Sequence, residues 1–160
     1  MAVSFIRHPG RSGPFGALMD EYARAADDFC RVVEGFDPAR FVADRQTDNP
    51  NTKSPHELCV HVCGGAHRYA HYIRKARGQD FVEYYELDRS RLRSPQDVRG
   101  LLAEALSFTE ETVEPLLRAS EKEIQAISFP VRWGPRYDPE MLLEHAVCHL
   151  LRHRRQLERW

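Results

Sequence analysis

An all-α fold of four long amphipathic helices is predicted by three observations. Apolar residues recur at i, i+3, i+4 and i+7 spacing in four separate windows. Serine or aspartate followed by proline opens three of those windows, and glycine closes two. The chain has 160 residues, 42% of them hydrophobic, which is enough for one core and short for two domains. A single domain over residues 1–160 is therefore expected.

The first helix follows Gly13-Pro14. Phe15, Leu18, Met19, Tyr22, Ala25, Ala26, Phe29, Val32 and Val33 form its apolar face, and it ends near Gly35. Ser54-Pro55-His56-Glu57 starts the second helix, with an N-cap serine, a proline at the first helical position and a glutamate placed to close a capping box. Leu58, Val62, Ala66, Tyr69 and Ile73 make its apolar face, and it stops before Gly78. Ser94-Pro95-Gln96-Asp97 repeats the device for the third helix, whose face runs from Val98 to Leu117. Pro115 lies inside that stretch, lacks a donor and clashes with the preceding turn, so a kink or an early end is expected. Ile124 to Arg136 reads as a loop, because Phe129-Pro130-Val131-Arg132-Trp133-Gly134-Pro135 mixes aromatics with turn formers. Asp138-Pro139 caps the fourth helix. The connections are longer than the ~2–8 residues of tight helical hairpins, so parallel neighbours are permitted and loop residues can roof one end.

Composition excludes several classes of function. A formal net charge of −1 lacks the basic footprint of a nucleic-acid or anionic-membrane binder. No apolar run approaches the ~18 residues of a membrane span, and the opening Met1-Ala-Val-Ser-Phe-Ile-Arg-His8 lacks a signal h-region. A cytoplasmic protein with a small-molecule substrate is expected, contacting neither nucleic acid nor membrane. Four cysteines are too sparse for a disulfide scaffold. Cys59, Cys63 and Cys148 invite a thiolate zinc site, but Cys63 falls on the core side of its helix and structural pairs come from tighter Cys-x-x-Cys turns.

Histidine is the unusual count, with eight residues, seven of them in two short stretches. His145, His149 and His153 follow one another at spacing four, in a stripe beside the apolar face of the fourth helix. Two imidazoles at i and i+4 can converge on one metal, and the chemistry wants a third ligand from elsewhere. On the second helix His61 is best placed, at the border roughly 90° from the apolar centre. His67 and His71 point towards water on this wheel, as a surface pair. His145 reads as a half-buried polar residue, with a role one turn above the site, or in place of His153 if the helix rotates, as the alternatives. Gln156 and Arg154 follow the row and can orient ligand rings or meet a substrate acid; Arg154 also suits a surface cation, Glu57 a cap and Glu144 a solvated acid.

Cys148-His149-Leu-Leu-Arg-His153-Arg154-Arg155-Gln156-Leu157 resembles the closing His-x-x-x-His-Arg-Gly-Gln signature of the DinB-like superfamily. Ser54-Pro55-His56-Glu57-Leu58-Cys59-Val60-His61 resembles its Ser…Glu-Leu…His signature, and Trp133-Gly134 fits its loop before the last helix. The resemblance implies a four-helix bundle wired up-down-down-up, with a divalent metal held by His61, His149 and His153. Zinc or nickel is the expected ion and iron the alternative. Arg155 stands where glycine is usual, which argues against close packing there, and Cys148 where asparagine is frequent.

Three histidines leave a coordination position open, as in catalytic rather than structural sites. Relatives of the implied family include transferases using low-molecular-weight thiols such as bacillithiol, mycothiol or glutathione. The expected function is a metal-dependent thiol S-transferase, isomerase or hydrolase, with substrate entering near Asn49 and Trp133. A non-catalytic metal-binding or stress-response bundle is the alternative, and a homodimer is a further expectation of the resemblance. No acidic residue stands at the spacing of a general base.

Overall fold

The computed structural model describes residues 4–160, so the first three residues of the opening stretch lie outside the described residues. The chain is mostly helical. Its long helices are α1 (Gly13–Glu34), α3 (Pro55–Ala76), α4 (Asp97–Val113) and α6 (Pro139–Leu157), and two short ones, α2 (Pro38–Val42) and α5 (Glu121–Ala126), sit in the connections. β1 (Phe129–Pro130) and β2 (Arg136–Tyr137) pair antiparallel, with Phe129 opposite Tyr137.

Each start signal can be followed to its atoms. Ser54 Oγ accepts the Glu57 N–H at 3.1 Å and opens α3. The Glu57 carboxylate does not return to close the box; it takes a bidentate pair from Arg89 at 2.6 and 2.7 Å. Asp138 accepts the Met141 N–H at 2.9 Å and opens α6. The third helix starts later than the Ser94-Pro95 signal predicts, because the direction of capping is reversed. Asp97 Oδ2 accepts the N–H groups of Arg93 and Ser94 at 2.9 and 2.8 Å, which holds residues 94–96 in a turn ahead of α4. At the other end the α-helix stops at Val113 and continues as a 3-10 turn over Glu114–Arg118, the early end that Pro115 imposes.

The predicted loop from Ile124 to Arg136 needs correction. Ser120 and Glu123 form a full capping box, so α5 runs to Ala126, and the remainder holds the β1–β2 pair. The four long helices form a ring of neighbours: α1 touches α4 and α6, and α3 touches the same two. Tyr22, Phe29, Leu58, Ile73, Leu102, Leu106, Leu142 and Leu150 fill the centre. Polar contacts record which ends meet. Arg99, at the start of α4, bonds Asp27 and Glu34 in the last half of α1, at 2.7 and 2.6 Å, while Arg11 before α1 pairs with Glu114 after α4. Arg74 reaches Thr112 at 2.8 Å, bringing the late turns of α3 and α4 together. Arg154 meets Asp28 at 3.4 Å, joining the later halves of α6 and α1. Glu110, buried on α4, accepts the N–H groups of Arg7 and His8 at 2.8 and 2.9 Å and fastens the leading segment to the core. Among the described residues no helix is long and apolar enough to cross a membrane.

Candidate metal centre

His61 comes from the second turn of α3, and His149 and His153 from successive turns of α6. The two helices are neighbours, so the predicted border position of His61 faces the histidine row across the seam. His149 Nε2 lies 3.0 Å from His61 Nε2 and 3.1 Å from His153 Nε2. All three atoms lie within 4.8 Å of one another, and among the described residues no other group of three or more His, Cys, Asp or Glu converges in this way. Nitrogens held ~2.0–2.1 Å from a tetrahedral ion stand ~3.3 Å apart, so the spacing suits one small divalent cation.

Proton placement gives a second test of fit. Gln156 Oε1 lies 2.6 Å from His153 Nδ1, and an amide oxygen only accepts, so the proton sits on Nδ1 and the Nε2 lone pair is bare. That is the arrangement of a metal-bound imidazole whose other nitrogen is held by an outer acceptor. His149 Nε2 faces two ring nitrogens and can donate a single proton to only one of them. A cation at the centre would satisfy all three.

The electrostatics keep the rings neutral. Burial lowers His61 from 6.5 to about 4 and His149 to about 2, with neighbouring His153 adding to both. His153 is lowered by burial as well, partly offset by Gln156. Neutral imidazole is the form that binds a metal. His153 is buried while His61 and His149 are half-buried, so the cluster sits at the edge of the core with one side towards solvent.

Comparison with family models finds no match for this chain, and comparison with curated proteins finds none either.

His145 stands one turn before the cluster and does not join it. It is half-buried as expected, stacked on Trp133 at 4.5 Å between ring centroids, with Tyr69 and Tyr137 against it. Trp133 thus roofs this end of the row, while Asn49 is spent on capping a 3-10 turn through the Asn51 N–H. The wheel reading of His67 and His71 is overturned. Their rings pack on Tyr85 and Phe108, and burial lowers His67 to about 4. The wheel allowed α3 one apolar face, whereas α4 and the segment after Gly78 cover a second. Cys59 and Cys63 are buried and Cys148 is exposed, so no thiolate set forms. Arg154 pairs with Asp28 and Glu158, Glu144 and Arg155 are exposed, and none reaches the cluster.

Sequence reasoning missed Gly64, Gly65 and Arg68, and read Tyr69 only as part of the apolar face. A Cβ on Gly65 would lie 3.5 Å from His149 Cε1 and 3.8 Å from both the Tyr69 hydroxyl and Arg68 Nη2. Tyr69 presents its ring to the edge of His149 at 5.6 Å and 85°. The available signal was the glycine pair itself, since two glycines inside a helix cost about 1 kcal/mol each relative to alanine.

Proposed function

We propose that this chain is a DinB-like four-helix bundle, wired up-down-down-up, that binds one divalent metal through His61, His149 and His153 and acts as a metal-dependent enzyme on a small molecule. The helix-end contacts support the wiring: late α1 lies by early α4, late α3 by late α4, and late α6 by late α1. One observation carries the metal reading, the convergence of three Nε2 atoms with the His153 proton held away on Nδ1.

A divalent ion bound there would supply Lewis acidity, lowering the pKa of water or a low-molecular-weight thiol, or polarising a carbonyl. Zinc, nickel and iron all accept imidazole, with zinc or nickel preferred. The chain's own groups do the positioning. Gln156 fixes the tautomer and angle of His153, Tyr69 packs the edge of His149, and the Trp133–His145 stack lies on the side towards the β1–β2 turn. Three protein ligands leave room for a substrate atom, which is the reason for preferring thiol transfer, isomerisation or hydrolysis over a structural role.

Metal content of untagged protein, compared with a His149→Ala, His153→Ala double variant, tests the site. About one ion per chain, lost in the variant, supports it and warrants a screen of thiol-dependent transfer. No uptake of added Zn²⁺ or Ni²⁺ by the wild type removes it. The homodimer implied by the resemblance is checked by sizing chromatography.

A further inference from the structure

Beside the histidine cluster, α3, the segment after Gly78 and the β1–β2 turn enclose a groove of about 420 Å³, within the ~300–1,000 Å³ range of small-molecule sites. Its walls are apolar and aromatic, with Tyr72, Phe81, Tyr84 and Val131 among them. Phe81, Val82 and Tyr84 are also among the chain's exposed large apolar side chains, so uncovered apolar surface gathers here.

The charge in this groove is one-sided where it matters. Arg68 lines the groove, half-buried, and its guanidinium meets only neutral carbonyls: Nη1 donates to Tyr85 at 3.2 Å and Nη2 to His61 at 3.5 Å. Among the described residues no carboxylate pairs with Arg68 or with Arg132 on the opposite wall. Of the two acids lining the groove, Glu83 is held by Lys75 at 2.6 Å, and Glu86 is beyond ion-pair distance of Arg68. Glu86 acts on Arg68 through space with no hydrogen bond or ion pair, so the partly desolvated guanidinium lacks a direct counter-charge, which a ligand can supply.

The backbone beneath it is built to hold that guanidinium. A Cβ on Gly64 would stand 3.0 Å from Arg68 Nη1, so a bare Cα there lets the group lie back along the helix. Gly65 borders both Arg68 and His149, so the groove and the histidine cluster adjoin across one residue.

We propose that this groove binds an organic acid, its carboxylate on Arg68 and its apolar body against Tyr72, Phe81, Tyr84 and Val131. The binding itself does not depend on a metal; only the further step of calling this acid the substrate rests on the metal-enzyme reading.

Calorimetric titration of the full chain with octanoate, octanamide and inorganic phosphate tests the assignment, on metal-stripped and zinc-treated protein. Octanoate is expected to bind both preparations, with octanamide and phosphate each weaker by about tenfold or more, since one lacks the charge and the other the apolar body. Arg68→Gln should reduce octanoate affinity by about tenfold and leave octanamide unchanged, and Arg68→Lys should lose part of it through the missing fork. Equal affinity for octanoate and octanamide, no octanoate binding, or phosphate matching octanoate overturns the proposal without any variant. Octanoate binding that requires zinc and survives Arg68→Gln assigns the carboxylate to the metal and also overturns it. Failure of the metal reading looks different: no zinc is taken up, yet octanoate still binds.

Discussion

Burial sets the state of each ligand histidine, and the neighbouring rings and Gln156 adjust it. His61 and His67 are lowered from 6.5 to about 4 by burial, and His149 further, so the unfolded chain takes up protons that the folded one refuses. Unfolding free energy therefore rises with pH wherever the unfolded chain binds more protons. For these groups the stabilisation is fully present above pH 6.5 and is lost progressively as pH falls towards about 4. Metal-free protein should show urea midpoints that begin to decline below pH 6.5, with the lowered carboxyls of Glu57 and Asp97 adding to the loss at the acid end of that window. A His67→Phe variant should flatten the decline; an unchanged slope would mean that His67 is not held neutral. Gln156 gives a second prediction at this scale. Gln156→Leu removes the acceptor for the His153 Nδ1 proton and should weaken zinc binding by ~10–100-fold, measured by competition with a chromophoric chelator, and the buried N–H left unpaired should also lower the melting temperature of the metal-free protein.

The elements divide into those whose signals are local and those whose faces are set by partners. Ser54 and Asp138 cap α3 and α6 as their sequences announce, because an N-cap oxygen needs only a backbone N–H three residues away. The same logic marks Asp37-Pro38, where Asp37 accepts the Arg40 N–H and starts α2, and Ser120 to Glu123, which starts α5. Both caps are legible, but helices of five and six residues are too short to show helical periodicity within their long connections. The glycine pair of α3 makes its own prediction. Gly65→Ala adds a methyl at ordinary contact distance from His149 and removes backbone entropy from the unfolded chain, so stability should rise by up to about 1 kcal/mol. Chemical denaturation checks this, and a loss of stability would show that the space above Gly65 is tighter than its contacts indicate. Gly64→Ala must displace the Arg68 guanidinium and should gain less.

Over the whole molecule, the candidate centre is a tie between α3 and α6, since His61 belongs to one and His149 and His153 to the other. A ligand that binds only the folded chain stabilises it by mass action, about 2.7 kcal/mol at a free concentration one hundred times its dissociation constant. Zinc should therefore raise the melting temperature of the wild type and leave that of the His149→Ala, His153→Ala variant unmoved, as read by thermal scanning. Equal shifts in both would place the bound ion elsewhere. What the sequence by itself determined follows from interactions that span a turn or two: the four long helices, the early end at Pro115, the His149–His153 row and the border position of His61. The choice of partners was decided only by tertiary packing. Periodicity states that a helix has an apolar face without stating how many neighbours cover it, and so His67 and His71 were misread as solvent-facing. The groove around the Arg68 guanidinium was hidden for the same reason. Its charge is left without a carboxylate by the meeting of α3, the segment after Gly78 and the β1–β2 turn, which lie up to about sixty residues apart in the chain and share no local signal.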